Sequence, residues 1–398
     1  MLLENNPYPQ DSRVRKEADT LADAGYDVSV VCQRAADQPL VEDMGGVTVY
    51  RYPAVPELGG FFGYLLEYGY AFIAALFYTC LIALTRGFDV IHAHNPPEIY
   101  VFIAKLFRPF GKKFVFDHHD LSPDVYMAKT DGKGSRTLYK ILRWMERITL
   151  READHILATN HSYKMIEMER ANLIPEKITV VRNGPSLDRF SPQEPDPAIR
   201  SKAKYILGYA GEMHKQDGLD FLMRALAHLY HDIGETDFLC LFMGNGSEIP
   251  NLKQQAVELG IADRVEFTGR LRGEEFIRHL ASTHICLDPD PYNSFNNHST
   301  MIKIPEYMAM EKPIVAFDLT EHRYSAQEAA IYIPDNDEML FAKGIAMLSK
   351  DPVLRERMGK FGRNRVEMDL SWEHSARNLV KAYEMVLPLK KKVLAVVA

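Results

Sequence analysis

Three groups of residues in the 398-residue chain have types and spacings that could do chemistry. The first is "DVIHAHNPPE" at 89–98 with "KFVFDHHDLSPD" at 113–124, which sets His94, Asn95, His118, His119 and Asp120 directly after strand-like runs. Imidazoles and carboxylates so placed suit proton transfer or metal binding. A metal hydrolase is the first reading to weigh: His92 and His94 share one face of a strand, but Pro96 stands where the common H-x-H-x-D-H zinc cluster has its Asp. The expectation is therefore no metal, with His92 structural.

The second group is "FMGNGSEIPNLKQQA" at 242–256, a Gly-rich turn entering a helix, where Gly244 and Gly246 would let backbone amides approach an anion. The G-x-G-x-x-G fingerprint is incomplete and no strand-end acid follows at the expected distance, so a nicotinamide dehydrogenase is not supported. Gly211 to Lys215 follow another strand-like run, "YILGYA".

The third group is the most specific. In "NNHSTMIKIPEYMAMEKPIVAFDL" at 296–319, Ser299 and Thr300 read as the start of a helix whose free amides would face a phosphate. Lys303 would add a full charge at that end, and Glu306, on the same face, can accept two hydroxyl hydrogen bonds such as those of a ribose.

The elements that must position these residues alternate throughout. "RVRKEADTLADAG" at 13–25 reads as an amphipathic helix closed by Gly25, "DVSVVC" as a strand, and βα alternation continues through "HILATN" and "KITVVRNG". The Pro-rich stretch "PSLDRFSPQEPDP" at 185–197 interrupts it, after which the pattern restarts with "YILGYAG" and "FLCLFMGNG". Parallel sheets follow from such alternation. The expected fold is α/β, two doubly wound Rossmann-like domains facing a central cleft: residues 1–184, joined by a last helix at 372–387, and residues 198–370.

Composition agrees with an ordinary folded protein, 46% hydrophobic and 25% charged, and the net charge of -7 argues against a general nucleic-acid binder. Cys32, Cys80, Cys240 and Cys286 are scattered in apolar settings and are expected as free thiols in a reducing cytoplasm. The first residues lack the pattern of a signal peptide. "YGYAFIAALFYTCLIAL" at 68–84 is uncharged for 17 residues, the lower end for a spanning helix, but its place between two strand-like runs favours a buried or surface-seated crossover helix.

"RVEFTGRLRGEEFIRHLASTHICLDPDP" followed by "STMIKIPEYMAMEKPIVAFDL" resembles the carboxyl-terminal half of retaining glycosyltransferases of family four, which have the GT-B fold. The likeness extends to "DVIHAHN", "FVFDHHDLSPDVY", "ITVVRNG" and "SWEHSARNLVKAYEMVL", and the "STMIK" segment is similar to the branch that builds bacterial surface polysaccharides. The resemblance implies a metal-independent enzyme without cofactor, which moves a sugar from a nucleotide diphosphate sugar, UDP-linked, to an acceptor hydroxyl. His119, Lys303 and Glu306 would be its central residues, Glu306 holding the ribose.

The family's other Glu, eight positions earlier, is replaced by His298, so Asn296, Asn297 and His298 become the candidates for sugar recognition. Glu212 and Asp217 stand where a basic pair is usual, which leaves diphosphate binding to Lys303 and Lys215. The resemblance also puts Gly211, Gly244, Gly246, Arg270, Ser299, Thr300 and Met301 on the donor side, and His94, Asn95, His118 and Asp120 on the acceptor side. A sugar-nucleotide epimerase of the same shape and a noncatalytic sugar-binding protein are the alternatives. "MLLE" is a short first strand by the family's standard.

One further pattern bears on location. Arg136, Lys140, Arg143, Arg147 and Arg151 recur at helical spacing in "SRTLYKILRWMERITLRE" at 135–152, with Leu138, Ile141, Leu142, Met145 and Ile148 left for a core. With "KLFRPFGKK", the apolar helix and the terminal "LKKKVLAVVA", this predicts a cytoplasmic enzyme held peripherally at the anionic inner face of the plasma membrane, where a lipid-linked glycan acceptor would be met.

Overall fold

The computed structural model describes residues 1–4, 6–54, 61–130 and 132–387. The expected basic tail at 389–398 lies outside them. The chain divides into two compact units, one made of residues 1–127, 133–182 and the C-terminal segment from 375, the other of residues 128–132 and 183–374.

The first unit carries β1 (Val28–Arg34), β2 (Val41–Met44), β3 (Val47–Pro53), β4 (Val90–His94), β5 (Lys113–His118), β6 (His155–Ala158) and β7 (Ile178–Val180). They form two ribbons, β2-β3-β1 and β4-β5-β6-β7, all parallel except the β2–β3 hairpin. The hairpin turns at Gly45 and Gly46, whose φ of 63° and 91° few side chains tolerate. In place of the expected short first strand there is a stitch of isolated bridges: Leu2 bridges Val31 of β1 and Ala93 of β4, and its amide donates to the His92 carbonyl at 2.8 Å.

Crossovers between parallel strands are right-handed. Those from β3 to β4, β4 to β5, β5 to β6 and β6 to β7 all run in the same direction across the sheet, so the helices Phe61–Thr85, Val101–Phe107, Arg136–Glu152 and His161–Ala171 line one face. The helix Trp372–Val386 returns to this unit through Tyr383, whose hydroxyl lies 2.7 Å from His92 Nδ1.

The second unit carries β8 (Tyr205–Ala210), β9 (Phe238–Met243), β10 (Val265–Gly269), β11 (Ile285–Asp288), β12 (Ile314–Phe317) and β13 (Ala330–Ile333). All are parallel, in the order β10-β9-β8-β11-β12-β13. β8, β9 and β11 are buried along their whole length, as a sheet covered on both faces requires. The order reverses between β8 and β11, and the crevice beyond their carboxyl ends is where such a sheet binds ligands.

Candidate active site

Lys303 stands at that switch point. It opens the short helix Lys303–Ala309, whose apolar residues Ile304, Tyr307 and Met308 are buried and seat it on the sheet. The ammonium lies 2.5 Å from Asp290 Oδ2, 3.3 Å from Asp288 Oδ1 and 4.7 Å from the centre of the Tyr209 ring on β8. Burial alone would lower the Lys303 pKa, but the two aspartates hold it well above the ordinary value. Burial would likewise raise Asp288, yet Lys303 and His322 keep it ionised below the usual carboxylate range. Asp290, buried and beside Asp288, sits well above that range despite Lys303.

Lys303 is therefore a counterbalanced cation, not the free charge expected of it. It offers an incoming anion a fixed position and what remains of its three N–H donors. Nor do Ser299 and Thr300 begin the helix: both precede its cap at Ile302, the Ser299 hydroxyl donating to the Phe295 carbonyl at 2.9 Å and that of Thr300 to Glu321 at 3.2 Å. Glu306 follows one turn after Lys303, part-buried, and Met301 packs against the core beneath.

Two of the three candidates for sugar recognition are committed elsewhere. Asn296 donates to the carbonyls of Pro291 and Gln216, and Asn297 accepts from the Thr320 amide at 2.9 Å. They organise the loop that presents His298. The glycines also play another part than expected. A Cβ on Gly244 would fall 1.8 Å from the Gly211 carbonyl oxygen, and one on Gly246 2.2 Å from that of Met213. The Gly211 and Gly244 amides donate to the carbonyls of Met243 and Gly269. Close backbone crossing, not an open anion cradle, explains these glycines. Lys215 and Arg270 lie exposed after β8 and β10, respectively.

In the first unit the strand-end histidines converge on Asp117, a residue the sequence reading passed over. Asp117 on β5 pairs in register with His94 on β4. Its Oδ2 lies 2.8 Å from His94 Nδ1 and 3.3 Å from His119 Nδ1, while Arg13 donates to both its oxygens at 2.8 and 2.6 Å. The His119 side chain is 22% exposed, whereas His94 and Asp117 are buried. Burial would lower the His119 pKa, but the Asp117 hydrogen bond and charge raise it; in His94 burial prevails and lowers it.

Asn95 is a clamp here, its side-chain oxygen accepting from the amides of His119 and Asp120 at 2.8 and 3.2 Å. His118 points the other way, fully buried, with Nδ1 2.8 Å from Glu167. Successive side chains on a strand face opposite sides, so beyond β5 His119 and, of the expected acceptor-side residues, only Asp120 reach the surface.

Two buried clusters, Glu17, His92, His94 and Asp117 in one unit and Asp288, Asp290 and His322 in the other, bring potential metal ligands within 4.8 Å of one another. Each already holds a protein cation. Arg13 spans Asp117 and Glu17, with 3.2 Å to the latter, and Lys303 spans Asp288 and Asp290. A cavity of about 490 Å³ in the first unit is lined by Val28, Val90, Ile91 and Tyr383 at the amino ends of β1 and β4, away from the strand ends that carry His119.

Residues 10–184 match the Glycosyl transferase 4-like domain family, and residues 204–351 match the Glycosyl transferases group 1 family. The chain belongs to the family-four-like glycosyltransferases. It is 24% identical over 390 residues to a D-inositol 3-phosphate glycosyltransferase of Salinispora tropica, covering 91% of this chain and 78% of that one. It is also 22% identical over 295 residues to the phosphatidylinositol N-acetylglucosaminyltransferase gpi3 subunit of Schizosaccharomyces pombe, covering 72% of this chain and 58% of that relative's length.

Among solved structures, sucrose-phosphate synthase from Thermosynechococcus elongatus superposes with a TM-score of 0.77 at 19% identity, over 97% of this glycosyltransferase and 95% of that chain. WaaG, a glycosyltransferase involved in lipopolysaccharide biosynthesis, gives 0.71 at 16%, over 97% and 98%. HepE of Anabaena in complex with UDP-glucose gives 0.69 at 16%, over 96% and 97%. The fold is GT-B.

Proposed function

We propose that this glycosyltransferase takes a UDP-linked sugar on its second unit and transfers it, with retention and without a metal, to an acceptor hydroxyl held by the first. The observation that carries the reading is the counterbalanced Lys303 at the β8/β11 switch point, followed one turn later by Glu306. Departure of a nucleoside diphosphate develops negative charge, and a lysine already fixed in place stabilises it with little reorganisation. Glu306 accepts the ribose hydroxyls. His119, oriented by Asp117, positions the acceptor or the anomeric centre. Arg13 in the first unit and Lys303 in the second already occupy the places a metal could take, which supports a reaction without one.

The acceptor is a lipid-linked glycan in surface polysaccharide assembly, and the enzyme sits peripherally at the inner face of the plasma membrane. Arg136, Lys140 and Arg147 are exposed and have no hydrogen-bond or ion-pair partner among the described residues, which supports contact with anionic lipid. Arg143 and Arg151 are partly engaged, by Glu146 at 3.8 Å and by the Ala171 carbonyl at 3.1 Å.

Thermal shift of the purified chain against a panel of nucleotide sugars identifies the donor, and nucleotide release with and without acceptor tests the reaction. Conversion of the donor sugar without acceptor would replace the reading by an epimerase. Binding without turnover on any acceptor would leave a noncatalytic sugar-binding protein.

A further inference from the structure

A surface helix of a water-soluble domain turns its large apolar residues to the core and its polar ones to solvent. The Phe61–Thr85 helix departs from this by carrying a second apolar face, turned outward. Leu66, Tyr70, Ile73, Phe77 and Leu84 fall within about 60° of one another around its axis, and Ile73, Phe77 and Leu84 are 67%, 62% and 87% exposed. On the opposite side Ala71, Ala75 and Thr79 are buried against the sheet. Ile82 joins them in the core and Phe72, Leu76 and Tyr78 pack partly against it, so the exposed stripe is one face of an otherwise seated helix, and Glu67 is its one charge. An apolar stripe of this length on a folded domain marks a contact surface.

The surroundings indicate its partner. The Val101–Phe107 and Arg136–Glu152 helices lie on the same face of the sheet by the common handedness of their crossovers. Phe110, just after the first, and Trp144, on the second, are exposed, and the second adds the unpartnered Arg136, Lys140 and Arg147. An apolar ridge with exposed aromatic rings and uncompensated cations fits an anionic lipid surface.

We infer that the outward stripe of the Phe61–Thr85 helix lies in the plane of the bilayer and inserts among the lipids, the basic Arg136–Glu152 helix on the same face of the sheet supplying the preference for anionic headgroups. This rests on the peripheral placement proposed above and names the element that inserts. Attachment by the basic helix alone would be reversed by salt; an inserted apolar ridge adds a salt-resistant part.

The test is cosedimentation of the full chain with vesicles of phosphatidylcholine alone or mixed with phosphatidylglycerol, at low and high salt. The wild type should stay bound to the mixed vesicles at high salt. Ile73→Ser/Phe77→Ser/Leu84→Ser, all at exposed positions, should melt like the wild type yet partition at least about tenfold less, the remainder being released by salt. Arg136→Gln/Lys140→Gln/Arg147→Gln should lose the preference for anionic vesicles but keep the salt-resistant part. Equal partitioning of the apolar variant and the wild type, or complete release of the wild type by salt, would overturn the inference. So would a wild-type dimer that binds no vesicles and that the apolar variant dissociates. Failure to transfer sugar from any donor would remove the proposed reaction while leaving a positive vesicle result intact.

Discussion

The part-buried Lys303 ammonium and the buried Asp290 carboxylate lie 2.5 Å apart at the switch point of the second sheet, with the buried Asp288 3.3 Å from the ammonium. At the donor site proposed above, an arriving diphosphate would therefore meet a cation whose charge is already shared. Its own charge will favour a proton on Asp290, which is already held above the carboxylate range by burial and Asp288. Donor binding should accordingly be coupled to proton uptake at Asp290, read as a buffer-dependent heat in titration calorimetry across a pH series. Asp290→Asn should abolish that dependence.

Removing Lys303 exposes the other side of the same pairing. Lys303→Met leaves two buried aspartates without their cation and should cost about 3–5 kcal/mol of stability. Loss of donor affinity should accompany it. Lys303→Met/Asp288→Asn should regain part of the stability but none of the affinity, so denaturant unfolding and donor titration of both variants separate the two roles.

His119 gives a pH prediction whose sign follows from its partner. Its pKa is raised in the fold, burial being outweighed by Asp117, so this pairing stabilises fully below the ordinary histidine range and fades as pH rises through the raised value. Asp117→Asn should move the His119 titration, followed by NMR, to lower pH. An unchanged titration would mean that Asp117 does not set the charge of His119.

Kinetics should divide His119 from Glu306. His119→Ala is expected to bind donor within a few fold of the wild type and to lower kcat, whereas Glu306→Gln should weaken nucleotide binding itself. Donor titration and initial rates on the two variants check this, and wild-type rates from His119→Ala would remove its role.

Glycine substitutions contrast the crossed loops with open helix surface. Gly244→Ala forces a Cβ onto the Gly211 carbonyl and should cost about 1–3 kcal/mol or more. Gly69→Ala, in the Phe61–Thr85 helix with nothing within 4 Å, should add about 0.5–1 kcal/mol. Thermal melting of both variants tests the pair.

The two parallel sheets were legible because alternating βα grammar is local, and Gly25 and the Pro-rich stretch before 198 punctuate it. The grouping at β5 was half legible. "FDHHD" puts Asp117 and His119 on one face of a strand and His118 on the other, so the period of two already separates His118 from His119 and pairs His119 with Asp117. What no local pattern shows is Arg13 meeting Asp117 across 104 positions, or Lys303 settling between Asp288 and Asp290, because these depend on which strand ends the sheet order brings together. Ile141, expected in the core, is 50% exposed. Its helix packs one stripe inward, and the five-residue basic run gave no sign that an apolar residue would share the outer side with Trp144.

The backbone crossing of Gly211 with Gly244 and of Met213 with Gly246 joins the two loops that follow β8 and β9 into one mechanical piece. Neither loop can be lengthened, or given a side chain at its crossing, without a matched change in the other. Variation at this crossing must therefore come as paired changes, one in each loop, which puts it out of reach of single substitutions.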